Sequence, residues 1–338
     1  MKGKLSIIAI SLCVVGLVVV LYVGPKHQEE KLTKILASSD REKVDFVIDE
    51  VDNPDFYGKL VHNEPIDMLV VGDSLSTSDE DNAWYTLLSN SLSDEYETEV
   101  NINVQTTDAG LYNNWMDYLS EKQQAYDLIF FLQGDNDNRT EKEYKHLYEA
   151  FLSELTSQHP KAEIITVTES GMDEQQSSVI QELAAYYHVV LIDNVEVAGD
   201  EGDAGLRDNV FNYIRTYVYG NKKVSYPEKE FLYGGTETYK NMNVLSLVDL
   251  EDPISLSFSG SLVGISYKTG PDHGFFDVYV DGAYVDSYDT YGEEEMVQHI
   301  IVSDTLDSGE HAITIQPSIL TNEDSSGDEL EFIGLITN

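Results

Sequence analysis

Between residues 66 and 219 a short apolar run gives way to a stretch of helical spacing five times over, and this alternation restricts the chain more than any other feature. The apolar runs begin at Ile66, with Ile-Asp-Met-Leu-Val-Val-Gly-Asp-Ser, and recur over 100–104, 127–132, 163–168 and 189–192. The first of them, an apolar run ending in a turn, suits a strand buried on both faces. The helical stretches fall at 84–92, 112–119, 143–155, 177–187 and 210–219. Strand-helix alternation of this kind predicts a parallel sheet covered on both sides.

Near Gly220 the rhythm changes. Short alternating runs at 255–258, 263–267, 276–280, 297–302, 312–316 and 332–336 are separated by turn signals, among them Gly270-Pro271-Asp272-His273-Gly274, Asp281-Gly282 and Ser308-Gly309. That pattern predicts an all-β sandwich with no amphipathic helix. No internal repeat is evident. The 338 residues, 41% hydrophobic and 10% aromatic, suffice for two cores.

Residues 5–23 form a third segment, 19 residues without a charge. As a helix they would extend roughly 28 Å, close to the thickness of a bilayer's hydrocarbon core. Lys2 and Lys4 precede this run with no acidic residue, so the expectation is a transmembrane helix with a cytoplasmic tip and an extracytoplasmic remainder. A cleaved signal peptide is the competing reading, but small residues at a cleavable spacing are missing. Cys13 reads as an ordinary residue of the span rather than a lipidation site. The expected organisation is a tip and membrane anchor over 1–25, a stalk over 26–54, an α/β domain over 55–222 and a β-sandwich over 223–338.

Composition excludes several functions. Against 20 Lys and Arg stand 62 Asp and Glu, a formal charge of −42. Nucleic acid is not a partner for such a surface, because phosphate neutralisation needs a basic face. The charge suits solubility or salt adaptation, or else a cationic partner. One cysteine rules out an intramolecular disulfide and every multi-cysteine zinc site. Acidic clusters at Asp135-Asn136-Asp137-Asn138 and Asp200-Glu201-Gly202-Asp203 lack the spacing of a calcium loop, so neither a metal nor another cofactor is expected.

Chemistry is expected where the parallel strands end, since open α/β sheets hold ligands at that edge. Gly72-Asp73-Ser74 closes the first strand, placing Ser74 at a helix start with free backbone N–H groups. Gly110 follows the second strand, and Gly134-Asp135-Asn136-Asp137 follows the third. Taken alone, a serine after a strand is equally an N-cap.

Together these blocks resemble the SGNH, or GDSL-like, hydrolases over about residues 55–220. Gly-Asp-Ser matches the first block, Gly110 the second and Gly-x-Asn-Asp the third. The resemblance implies a three-layer, flavodoxin-like α/β fold in which Ser74 is the nucleophile, while the Gly110 N–H and the Asn136 amide complete an oxyanion hole. The family's last block, Asp-x-x-His followed by Pro-Asn, supplies the general base. Here that place reads Asp200-Glu201-Gly202-Asp203-Ala204-Gly205-Leu206-Arg207, with no histidine. A serine without a base forgoes roughly 10²–10⁴-fold in rate.

Substitutes for that base are His273, in the Pro-Asp-His-Gly turn, His62, just before the first strand, and the carboxylates Asp200 and Glu201. The sandwich resembles jelly-roll modules attached to bacterial carbohydrate esterases, and Tyr267, Tyr284, Tyr288 and Tyr291 would either stack on sugars or pack between strands. Two functions therefore stand. One is a membrane-anchored serine esterase or acyltransferase acting on acylated carbohydrate. The other is a degenerate SGNH-fold protein that binds glycan or acts as a scaffold without turnover. Oligomeric state and the identity of the ester are left open.

Overall fold

The computed structural model describes residues 54–73, 80–106, 110–120, 124–133, 141–170, 172–195, 199–220, 222–246 and 253–338. The expected anchor, and all but the last residue of the expected stalk, lie outside the described residues. Among the described residues no helix is long and apolar enough to cross a membrane.

Five strands, β1 (Ile66–Gly72), β2 (Val100–Thr106), β3 (Leu128–Leu132), β4 (Glu163–Glu169) and β5 (Val190–Val195), pair in parallel in the order β2-β1-β3-β4-β5. Every residue of β3 and all but one of β1 are buried, as their uninterrupted apolar runs require. Alternation along the strands divides their side chains between two cores. Leu69, Val71, Ile129 and Phe131 face helices α3 (Leu111–Ser120), α4 (Glu141–Gln158) and α5 (Glu174–Tyr187). Met68, Val70, Leu128 and Phe130 face α1 (Phe56–Val61), α2 (Trp84–Tyr96) and α6 (Gly199–Tyr219). Trp84 anchors the second core edge-on to Phe130, with ring centroids 4.7 Å apart.

One helix is longer than its apolar spacing predicts. The expectation begins it at residue 210, whereas α6 starts at Gly199 and takes in the whole Asp200–Gly205 segment. Acidic residues in a first turn oppose the positive end of the helix dipole favourably, which lets a stretch that reads as loop become helix despite Gly202 and Gly205.

The C-terminal half is a sandwich of two antiparallel sheets, β10-β9-β12-β7 and β11-β8-β13-β6. The six expected runs correspond to β7 (Ile254–Gly260), β8 (Val263–Thr269), β9 (Phe275–Val280), β11 (Met296–Ser303), β12 (Gly309–Pro317) and β13 (Phe332–Thr337). Two further strands, β6 (Asn243–Ser246) and β10 (Ala283–Asp289), are edge strands with largely exposed residues and so carry no buried face to read. Asp281 and Gly282, both at positive φ, make the two-residue turn joining β9 to β10. Phe276, Ile265, Ile313 and Leu335 bring both sheets into one core.

The sandwich docks on α3. The His299 backbone N–H donates to Asn113 Oδ1 at 2.6 Å, and the His299 ring reaches Asp117 at 3.1 Å. Residues 222–242 cross back over the α/β domain as a strap. The Tyr226 hydroxyl donates to Ala162 O at 2.8 Å and accepts from Ile164 N–H at 2.9 Å. Fully buried Glu149 accepts from the Leu232 and Tyr233 N–H groups and from the Thr236 and Tyr187 hydroxyls. A buried carboxylate so fully bonded fastens the strap without leaving an uncompensated charge.

Candidate active site

Strands β1 and β3 are neighbours in register, Gly72 opposite Leu132. Gly72 has φ 119°, and a Cβ there would lie 1.6 Å from the Leu132 carbonyl oxygen. Only glycine allows this approach, in which the Asp73 N–H donates to that same oxygen at 2.8 Å. Asp73 turns inward, 2% exposed, and accepts from Asn114 Nδ2 at 3.2 Å. Asn114 belongs to α3, which begins directly after Gly110; Gly110 is buried, has φ 87° and accepts the Asn114 N–H at 3.1 Å. The first two motif blocks thus share one hydrogen-bonded frame at the C-terminal edge of the sheet.

Two groups in this frame have no partner among the described residues. Gln133, which continues β3 toward the third block, is 2% exposed, and its Nε2 donates to nothing; the Oδ1 of Asn114 accepts nothing. Ser74 and Asn136 lie outside the described residues, as does the side chain of each of Asp200 and Glu201.

The described carboxylate of the Asp200–Gly205 segment is Asp203, 2% exposed, whose Oδ1 accepts the Trp84 backbone N–H at 2.9 Å. Ala83 provides no side-chain cap for α2, so a carboxylate from α6 does so instead. Burial, then the Glu80 and Asp203 charges, raises the pKa of neighbouring Tyr85. Sequence reasoning named Asp203 only within the Asp200–Arg207 block, with no role of its own, and passed over Asn114 and Gln133. The available signal for Asp203 was its position three residues after Asp200, on the same helical face.

The described histidines are placed or engaged elsewhere. His62 is the C-cap of α1, ahead of β1 and hence at the opposite edge of the sheet. His188 caps α5 ahead of β5 at that same far edge. His273 is buried in its sandwich turn, its N–H bonded to Gly270 O at 3.3 Å. His146 bonds Thr236, His159 bonds Tyr118, and His311 bonds Asp281.

His299 completes a Ser–His–Asp chain, with Ser266 Oγ 2.6 Å from Nδ1 and Asp117 Oδ1 3.1 Å from Nε2. Ser266 is fully buried, so no acyl group can reach it, and the chain serves as a tie between sandwich and α3. Among the described residues no cluster of His, Cys, Asp and Glu could hold a metal.

No family model matches the sequence, and no curated protein does. Solved structures are similar in fold. A two-domain esterase active on acetylated mannans, co-crystallised with mannopentaose, superposes over 82% of this chain and 92% of its own with a TM-score of 0.60 at 12% identity. A member of the lipolytic G-D-S-L family from Veillonella parvula matches 43% of this chain and 96% of its own, with TM-score 0.34 and 15% identity. A carbohydrate esterase family 2 enzyme with a carbohydrate-binding domain, from Corynascus thermopiles, matches 46% and 67%, with TM-score 0.36 and 12% identity. The match to the first of these takes in both the parallel-sheet domain and the sandwich of this chain.

Proposed function

We propose that this protein is an SGNH-type serine esterase or acyltransferase acting on acylated carbohydrate, held by residues 5–23 at a membrane with both domains on the extracytoplasmic side. The observation that supports it best is the shared frame of Gly72, Asp73, Asn114 and Gly110 at the edge where Ser74 follows. The two-domain fold in common with an esterase of acetylated mannans favours a sugar ester as substrate.

In this reading Ser74 Oγ attacks the acyl carbonyl carbon, and the developing oxyanion is held by the Ser74 and Gly110 N–H groups and the Asn136 amide. The serine proton passes to a carboxylate at the start of α6, for which Asp203 is the choice, and from there to the departing sugar oxygen. Water, or a second hydroxyl, then releases the acyl group. A carboxylate is a weaker base than imidazole near neutrality, so turnover is slower than with a histidine.

A second reading, glycan binding without turnover, draws on the engagement of Asp203 with Trp84 and on the positions of His62 and His188 at the opposite edge. Treatment of the full-length protein with a serine-directed fluorophosphonate separates the two. Covalent labelling that disappears in Ser74→Ala supports the enzyme; equal labelling of both proteins refutes it.

A further inference from the structure

Helix α3 starts directly from Gly110 and is gripped on two sides. Residues 111–116, its first six, are all buried. Side chains advance about 100° per residue around a helix, so six in succession point in every direction and all are covered. Leu111, Trp115 and Met116 join the core that Leu69 and Ile129 bring from the parallel sheet. The sandwich covers the other side, and its strand β8 comes so close that a Cβ on Gly264 would lie 2.8 Å from the Tyr112 hydroxyl oxygen.

Two consecutive asparagines divide the attachments. Asn114 holds the turn at the end of β1, its Nδ2 donating to Asp73 Oδ1 at 3.2 Å, while its backbone N–H donates to the Gly110 carbonyl at 3.1 Å. Asn113 holds the sandwich, its Oδ1 accepting the His299 backbone N–H at 2.6 Å. One turn further along, Asp117 Oδ1 meets His299 Nε2 at 3.1 Å, and Ser266 Oγ lies 2.6 Å from His299 Nδ1. Asn113 and His299 are both buried, so breaking their bond strands a donor and an acceptor away from water.

The start of α3 needs this second grip. Strand β2, which leads into it, is an edge strand of the sheet, and none of its residues is fully buried. The Gly110 N–H moves with the helix that Gly110 begins. A donor to an oxyanion acts at about 2.7–3.1 Å, and losing one costs about 10²–10³-fold in rate. A displacement of about 1 Å costs up to about 10²-fold.

We propose that the sandwich is a working part of the catalytic edge: the bond from the His299 N–H to Asn113, backed by the His299–Asp117 contact, fixes the head of α3 and so aims the Gly110 N–H at the oxyanion. Asn113, Asp117 and His299 are positioning residues, the last of them supplied by the second domain. This rests on the reading given to Ser74 and Gly110.

The test follows both the rate and the endpoint of fluorophosphonate labelling in the full-length parent, Ser74→Ala, Asn113→Ala, Asp117→Ala and Tyr239→Phe. The last is the control: it removes a bond from the Tyr239 hydroxyl to Asp304 Oδ2, another tie to the sandwich, where the Tyr239 ring lies on His146 of α4 rather than on α3. Asn113→Ala labels about tenfold or more slowly than the parent, Asp117→Ala about threefold more slowly, and Tyr239→Phe at the parent's rate. All three reach the parent's endpoint, because a displaced donor slows every molecule whereas partial unfolding removes some molecules and leaves the rest unchanged. Asp117 is half-exposed, so its variant reports even where Asn113→Ala fails to fold. Parent rates in both α3 variants, slowing that only mirrors a lowered endpoint, or equal slowing in Tyr239→Phe would overturn the proposal and leave Ser74 as nucleophile. Labelling that Ser74→Ala retains in full would overturn both.

Discussion

The Asp203 carboxylate accepts the backbone N–H of Trp84 at 2.9 Å, tying the start of α6 to the start of α2 across 119 residues of sequence. One side chain thus meets two demands, capping a helix that has no cap of its own and presenting a carboxylate at the edge where the nucleophile is expected. Asp203→Asn keeps an amide oxygen for the Trp84 N–H but cannot take a proton. Its melting temperature should stay close to the parent's, while ester turnover falls by about 10²-fold or more. Asp203→Ala should lose both, with about 0.5–2 kcal/mol of stability going with the cap. Urea unfolding alongside kcat for each variant checks this.

Asn114 and Gln133, near neighbours around the Gly72–Asp73 turn, should respond oppositely to apolar replacement. Asn114→Leu removes a donor from buried Asp73 and should destabilise by about 1–3 kcal/mol. Gln133→Met deletes a buried donor that bonds nothing among the described residues, so it should be neutral or should stabilise by up to about 1 kcal/mol. Urea midpoints at constant m-value decide between these outcomes.

The parallel sheet was legible because its central strands are buried on both faces and their Val, Ile, Leu and Phe runs have no other reading. The edge strands β6 and β10 were not, since exposed residues such as Leu245, Tyr284 and Val285 follow no inward pattern. Gly72-Asp73 and Gly110 were legible as short motifs ending strands. Asp203 was not, because its meaning depends on a backbone N–H more than a hundred residues away. The Ser266–His299–Asp117 chain is hidden for the same reason: it joins two domains through side chains that no local spacing relates.

Lys222 fastens the beginning of the strap to the sheet. Its Nζ lies 2.8 Å from both oxygens of Glu163 and 2.8 Å from the Tyr213 hydroxyl, with the Tyr57, Tyr213 and Tyr217 rings around it. Burial raises the Glu163 pKa against the opposing pull of Lys222. For Lys222 burial acts downward, yet the bonds to Glu163 and Tyr213 outweigh it and raise the pKa. Lys222→Met strands a buried carboxylate and should cost about 3–5 kcal/mol, whereas the double variant Lys222→Met with Glu163→Leu should recover most of the loss. Thermal unfolding of the single and double variants measures the difference.

His159 sets an acid limit on stability. Its ring is 6% exposed beside the Tyr126 ring, with Nε2 3.0 Å from the Tyr118 hydroxyl, which also donates to Gln158. Burial lowers its pKa from 6.5 to about 4. Between those values the unfolded chain binds a proton that the folded one refuses, so the folded state loses stability as pH falls through 6.5 and keeps losing until about 4. Above 6.5 both states are neutral at this position and the effect vanishes. Carboxylates titrate in the lower part of the same window, and Glu154 faces Tyr118 there, so the measurement is a difference between proteins. On going from pH 7 to pH 4.5 the parent should lose about 1–2 kcal/mol more unfolding free energy than His159→Gln, allowing for residual solvent access to the ring. Parallel slopes for the two proteins would show that the histidine is already charged in the folded state.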